Sequence, residues 1–283
     1  MQSIHIVADS LPEAWERAVI ETWEKGAEFE TAYDKEGDPK SKDVTALIHV
    51  KNPFAEPRIH RAFPGGLDDL EKYRMEVLHG VHDHWVDPAN GKWNYTYHER
   101  LFGYKLPGSN FKVDQIALCI DELKKTPHTR RAQAVTWQVW NDLGYEHASC
   151  LQRLWFRVEN GKLNMCIHIR SNDAYKAAFM NMHAFTELQR WVAWQVGVEV
   201  GEYIHIADSF HIYGSYFSEF EGFLNAYKSR SFEDRIWDTS FAVPMFIDGC
   251  NTLLAEPDMP NEMMPIIRER LNTLHSMGPA SQR

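Results

Sequence analysis

Residues 150–173 read CLQRLWFRVENGKLNMCIHIRSND, two runs of strand-forming residues, CLQRLWFRV and KLNMCIHIR, on either side of Glu159-Asn160-Gly161. Asn-Gly between such runs is a strong hairpin signal, because a two-residue type I′ turn needs positive φ at both central positions. A hairpin places the start of one strand beside the end of the other, so Cys150 is expected near Arg170, which opens the group Arg170-Ser171-Asn172-Asp173. A guanidinium beside a thiol lowers its pKa and raises the share present as thiolate, the nucleophilic form. A charged motif at a strand end is also hard to account for as core.

Working outward, AQAVTWQVW (132–140) reads as a third strand before the hairpin. After it come a long helix from about Asp173 to Val196, a strand EYIHIADSFHIYG (202–214) and a helical region to about Lys228. Towards the N-terminus, Ser10 to Lys25 has a capping serine, Pro12 in the first turn, and Trp15, Val19, Ile20 and Trp23 at helical spacing. Val44 to Val50 reads as a strand, and Leu67–His79 and Phe111–Lys125 as helices. Hairpins mixed with long helices give an α+β class with a substantial sheet. The most turn-rich stretch, DKEGDPKSKD at 34–43, reads as a polar loop rather than a linker, so one domain is expected.

The 283 residues carry 40 acidic and 30 basic side chains, a formal net charge of −10. Such a surface repels a phosphodiester backbone, which excludes nucleic acid as the main partner but leaves room for one locally positive pocket and a small phosphorylated substrate. At 44% hydrophobic and 13% aromatic the chain can bury a full core. No run approaches the ~20 apolar residues of a membrane span, and the N-terminus lacks a cationic start followed by an apolar stretch, so a cytoplasmic protein without membrane partners is expected. Cys119, Cys150, Cys166 and Cys250 show no CxxC pairing and read as free thiols. There is no glycine-rich phosphate loop. His79, His82 and His84 lie close together, but a metal site would need a further ligand, and polar histidines near a pocket are the simpler reading; no metal is expected.

In order and spacing, Cys150, Gly161-Lys162-Leu163, Arg170-Ser171, Asp173, Asn181 and His211-Ile212-Tyr213 resemble the catalytic half of thymidylate synthases and the related pyrimidine-monophosphate hydroxymethylases. Arg130-Arg131 resembles that family's double arginine. The resemblance is clear over about 130–216 and loosens towards both ends. It implies a single thymidylate synthase-like domain over 1–283, with a large mixed β-sheet flanked by long helices and a divergent C-terminal tail at 250–283. It further implies transfer of a one-carbon unit from 5,10-methylenetetrahydrofolate to C5 of a pyrimidine nucleotide. C5 is a poor nucleophile until a thiolate adds at C6, the role that would fall to Cys150. Arg170, Ser171, Arg130 and Arg131 would hold the 5′-phosphate, the last two from the partner subunit of an obligate homodimer; bidentate guanidinium suits phosphate. Asn181 would read the base edge, and His211 and Tyr213 the sugar 3′-hydroxyl, while Asp173, with His82 and Trp85, would lie on the folate side. A carboxylate on an upstream helix relays protons at O4. The helix before Gly80 offers Glu71 and Glu76, of which Glu76 is nearer the glycine. Tyr95 resembles the tyrosine that assists proton removal from C5, and Tyr97 is close enough to compete.

Three departures fall where folate would sit: His82 replaces the first tryptophan of the upstream pair, Leu151 replaces the histidine after the cysteine, and LHSMGPASQR lacks the family's apolar C-terminus. A dry site yields a methyl group and a site that positions water yields hydroxymethyl. Conversion of dUMP to dTMP is the first expectation, because Asn181 suits uracil. Hydroxymethylation of dUMP or dCMP is the alternative, with CMP disfavoured, and a silent nucleotide-binding relative is the reading from another class.

Overall fold

The computed structural model describes residues 1–277. In chain order its elements are β1 (Ser3–Ala8), α1 (Leu11–Lys25), β2 (Ala27–Phe29), β3 (Ser41–Val50), β4 (Ile59–His60), α2 (Leu67–His79), α3 (Tyr97–Phe102), β5 (Tyr104–Lys105), β6 (Lys112–Val113) and α4 (Gln115–Lys125). There follow β7 (Gln133–Val135), α5 (Val139–Asp142), β8 (Leu151–Glu159), β9 (Lys162–Asp173), α6 (Ala178–Val196), β10 (Glu199–Ile212), α7 (Phe217–Ser229), β11 (Ile236–Trp237), α8 (Thr239–Ala255) and α9 (Met264–Met277). The main sheet has seven strands, in the order β1-β3-β10-β9-β8-β7 with β2 added to β3. β1 is parallel to β3, β2 and β10 are antiparallel to it, and β7 is antiparallel to β8, so the sheet is mixed and the class α+β, as expected.

The chain gathers into two compact units, one of Met1–Gly65, His168–Met182 and Glu202–Thr239, the other of Gly66–Ile167, His183–Gly201 and the chain from Ser240 on. It passes between them repeatedly, which is why no tether is visible in the sequence. In the first unit Val44, Ala46, Ile48 and Val50 are fully buried on β3 while Leu47 is exposed, the two-residue period of a strand. α1 buries Leu11, Ala14, Trp15, Ala18 and Val19, and its Trp15 indole N–H donates to the Ala174 carbonyl at 2.8 Å, so the buried polar tip is satisfied. In the second unit Asn160 (φ 50) and Gly161 (φ 74) form the turn that Asn-Gly predicts. α2 ends on Gly80 at φ 66, where a Cβ would lie 2.2 Å from His98 Nδ1 and 2.6 Å from Asp83 Oδ2; backbone and neighbours both require glycine there.

Several boundaries differ from the sequence reading, each for a local reason. The helix expected from Phe111 starts at Gln115, because the Asp114 carboxylate accepts the Ala117 N–H at 2.8 Å and caps it there. The strand over AQAVTWQVW stops at Val135; the Gln138 N–H meets the Asp142 carboxylate at 2.6 Å and turns the chain into α5. The helix expected from Asp173 begins at Ala178, since Asp173 ends β9 and its carboxylate takes the N–H groups of Tyr175 and Lys176. The polar loop 34–43 is loop only to Lys40, because Ser41, Lys42 and Asp43 already pair with β2. The stretch 250–283 is not a tail in its described part: Cys250 is buried in α8, and α9 buries Ile267 and Leu274 and sends Arg270 onto Glu71 in α2 at 2.8 Å. Residues 278–283 lie outside the described residues. β1, absent from the sequence reading, extends the sheet beside β3.

Candidate active site

In the second unit Cys150 immediately precedes β8 and is half-buried. Its backbone N–H donates to the Tyr95 hydroxyl at 3.3 Å. Tyr95 and Glu76 line one cavity of about 480 Å³, together with Tyr73, Trp93, Tyr97 and His147. The structure thus links the three residues expected to carry the chemistry, Cys150, Glu76 and Tyr95. Tyr97 contributes to the same wall, its ring 5.6 Å from that of Tyr95, and burial followed by the neighbouring Tyr95 pushes its hydroxyl pKa well up. Tyr97 therefore stays protonated, and it is Tyr95 whose hydroxyl meets the cysteine backbone.

The choice between the two glutamates of α2 has a geometric basis. Glu71 is fully buried and accepts Arg74 at 3.2 Å and both Arg270 Nε and Nη2 at 2.8 Å, so its oxygens are committed to guanidinium groups. Glu76, one and a half turns on, reaches the cavity wall. Its Oε2 lies 3.0 Å from His82 Nδ1, and His82 Nε2 lies 3.3 Å from Glu256 Oε2. The His82 ring stacks on Trp85 with centroids 3.8 Å apart and planes 6° apart, and the Trp85 indole donates to Asp258 at 2.9 Å. Burial disfavours charge on His82, but the hydrogen bonds and charges of Glu76 and Glu256 outweigh it and raise its pKa. Among the described residues no group of three or more His, Cys, Asp and Glu side chains is arranged to hold a metal ion.

Three features of this unit lay beyond the sequence reading. Arg100, 3% exposed, donates to Asp142 at 2.9 and 3.3 Å and to the Thr136 carbonyl at 3.0 Å, with its guanidinium 5.6 Å from the Tyr95 ring centre. The five-residue spacing from Tyr95 to Arg100 is visible in the sequence, but Asp142 carries no local signal. Tyr73 could have been found as the residue one turn before Glu76, whereas Glu256, 174 positions from His82, could not. Arg130 and Arg131 are both exposed; Arg131 holds Glu122 at 2.7 Å, and the Arg130 carbonyl accepts the Trp155 indole at 3.1 Å. Cys119 and Cys250 are buried, which pushes each thiol to about 12 and leaves them packing residues.

The first unit holds Arg170 and Ser171 near the end of β9, Asp173 at its last position, Asn181 in the first turn of α6, His211 near the end of β10 and Tyr213 just after it. Burial raises Asp173 to about 6 against the two backbone N–H groups it accepts. Between the motif's members Asn172 is buried and takes His205 Nε2 on its Oδ1 at 2.8 Å, while His205 Nδ1 meets the Tyr203 hydroxyl at 2.9 Å. Burial pushes His205 to about 3, so it is a neutral brace for β9. His211 is 4% exposed and burial lowers it to about 4. Ser209 donates its hydroxyl proton to Asp43, so the serine oxygen must accept from His211 Nδ1 at 3.1 Å. That leaves His211 Nε2 as an acceptor, and it has no hydrogen-bond partner among the described residues. The Tyr213 ring lies 4.5 Å from the His211 ring.

The thymidylate synthase family profile matches residues 67–234, more than half of the chain. The chain belongs to the thymidylate synthase family. A provisionally named thymidylate synthase of Methanocaldococcus jannaschii is 30% identical over 72% of this chain and 88% of its own length. One from Methanothermobacter marburgensis, also named provisionally, is 30% identical over 76% of this chain and 95% of its own. The fold is similar to that of thermostable thymidylate synthase A from Bacillus subtilis, with a TM-score of 0.60 at 22% identity over 75% of this chain and 83% of that one. As a thymidylate synthase-family member the chain is a one-carbon transferase, in a family that acts on nucleotide and folate small molecules with methylenetetrahydrofolate as co-substrate. Among the described residues no helix is long and apolar enough to cross a membrane.

Proposed function

We propose that this thymidylate synthase-family enzyme converts dUMP to dTMP. The observation that carries the reading is the link from Cys150 through Tyr95 to the cavity that Glu76 also lines. The Cys150 thiolate adds to C6 of the pyrimidine, which makes C5 nucleophilic toward the one-carbon unit supplied by methylenetetrahydrofolate. Glu76 moves a proton at O4 and Tyr95 assists removal of the C5 proton. Arg170 and Ser171 hold the 5′-phosphate with Arg130 and Arg131, whose exposure suits service to a partner subunit's site in a homodimer. Asn181 reads the base edge. His211 accepts the sugar 3′-hydroxyl proton at Nε2, the nitrogen its Ser209 contact leaves over, with Tyr213 beside it. Asp173, His82 and Trp85 form the folate side.

One observation favours a second reading, hydroxymethylation of dUMP or dCMP. Where the family carries its first tryptophan, this chain has His82 between two carboxylates, a polar group at the place where dryness decides the product. Incubation with methylenetetrahydrofolate and either nucleotide, followed by mass spectrometry, separates the two. A methyl increment with dihydrofolate formation supports the synthase; a hydroxymethyl increment with tetrahydrofolate establishes the alternative. Replacing Cys150 by Ala is expected to abolish tritium release from C5-labelled nucleotide, by about three orders of magnitude or more. Release that survives the substitution would remove Cys150 from the mechanism.

A further inference from the structure

His82 sits between two carboxylates contributed by segments far apart in the sequence. Glu76 lies in the last turn of α2, and Glu256 follows α8 directly. Both partners are acceptors when ionised, so both ring nitrogens of His82 are served best when each carries a proton. The parallel stack on Trp85 places the indole face against the same ring, which further suits a cation. Asp258, two residues after Glu256, holds the Trp85 indole and lies 3.6 Å from His84 Nε2, so one short segment secures both the histidine and the surface it rests on. The other groups around the ring are His84, with its centroid 6.5 Å away, and Trp93 at 6.1 Å; the adjacent Asp83 is engaged with His98 and Thr96 instead.

We propose that His82 is a positioning residue and proton reservoir for Glu76, with Glu256 as the counter-charge that keeps the imidazolium in place. The proposal rests on the reading of Glu76 as the carboxylate that serves O4. As negative charge develops on O4, the Nδ1 proton of His82 moves to the ionised Glu76 at Oε2, and Glu76 passes a proton on to O4. Glu76 ends as it began, and the imidazole is left neutral, its Nε2–H donating to Glu256. When O4 becomes a carbonyl again the proton returns by the same route, so the cycle has no net proton demand. The raised pKa of His82 fits a group that is charged before the step. Cavity lining by Glu76 puts the chain's inner end at the site, and Glu256, with 19% of its side chain exposed, gives the outer end contact with solvent.

The test is the pH dependence of tritium release from C5-labelled nucleotide, a readout shared by methyl and hydroxymethyl formation. His82→Asn keeps a donor toward Glu76 but cannot titrate; kcat is expected to fall about tenfold, with nucleotide KM changed by less than about twofold. Glu256→Gln removes the counter-charge and should move the alkaline limb of kcat to lower pH, because the imidazolium then loses its proton more readily. In His82→Gly, free imidazole should restore part of the rate, which a structural role would not permit. If the His82 variants do not fold, Glu256→Gln alone decides. Wild-type profiles in His82→Asn and Glu256→Gln, alongside a Glu76→Gln enzyme that has lost its activity, would overturn the reservoir and leave the Glu76 assignment standing. Full activity in Glu76→Gln would overturn both.

Discussion

His60 in the first unit and His82 in the second are built from the same parts, an imidazole hydrogen-bonded to a glutamate with a third charge behind it, yet they hold protons oppositely. His60 Nε2 lies 2.9 Å from Glu16, but its Nδ1 accepts the Ala62 N–H at 3.1 Å, which fixes a neutral tautomer. The third group there is Arg235, donating to Glu16 at 2.6 and 2.7 Å. Burial followed by the repulsion of that guanidinium overcomes the attraction of Glu16 and lowers the His60 pKa. Glu16, also penalised by burial, is nonetheless lowered by the hydrogen bonds of His60 and Arg235 and by the Arg235 charge. At His82 the third group is a second carboxylate, and the shift is upward. Deeper burial of His60 first, then whether the second ring nitrogen donates or accepts, and last the sign of the outer charge separate the fixed brace from the cluster that can trade protons.

Substituting the two glutamates should separate these roles. Glu76→Gln is expected to lower kcat for tritium release by about 10²- to 10⁴-fold, the range for a lost general acid or base, while urea midpoints stay close to wild type. Comparable loss of stability and activity in this variant would erase the contrast. Glu16→Gln should do the reverse. It leaves Arg235, whose side chain is 7% exposed, without its counter-charge, and a buried pair broken on one side costs about 3–5 kcal/mol of unfolding free energy. The pH profile of whatever folded enzyme remains should keep its wild-type limbs. A shifted limb would mean that the first cluster also reaches the chemistry.

How far this contrast was legible in the sequence depends on the range of the contacts. The hairpin at Asn160-Gly161, the helix Leu67–His79 ending on Gly80 and the candidate cysteine are local signals, and the structure has turn, helix and half-buried thiol at those positions. The preference for Glu76 over Glu71 rested on distance from Gly80; the structure adds a separate observation, that Arg270 in α9 claims Glu71. Glu256 and Arg235 are invisible for the same reason: each acts on a residue more than 170 positions away, and no periodicity or spacing records such a pair. Even α5 escaped, because the single Asp142 carboxylate that ends the strand pattern looks like any surface acid until its bonds to Arg100 and Gln138 are seen.

The smallest expected effect is also the one that most sharply distinguishes the two histidines. A histidine whose folded pKa is depressed refuses a proton that the unfolded chain accepts, so stability falls as pH drops below 6.5 and levels off at the folded value. His60→Gln can still donate to Glu16 and accept from Ala62, and should flatten the acid side of the stability curve by up to about 1.4 kcal/mol per pH unit, the value of one proton. His205 at about 3 and His211 at about 4 add slopes of the same sign, so the comparison must be variant against wild type rather than the raw curve. His82 has the opposite linkage. Its raised pKa contributes stability that is complete below 6.5 and is lost as pH rises through the folded value, so His82→Asn should remove a decline on the alkaline side and leave the acid side alone. That effect should be the smaller of the two, because solvent reaches Glu76 and Glu256 and screens the pair, with side-chain exposures of 15% and 19% against 5% for Glu16. Urea unfolding of both variants across about pH 5 to 8 reads the signs directly. Slopes of the same sign would show that the carboxylate behind His82 does not set its charge, and the proton reservoir would fall with it.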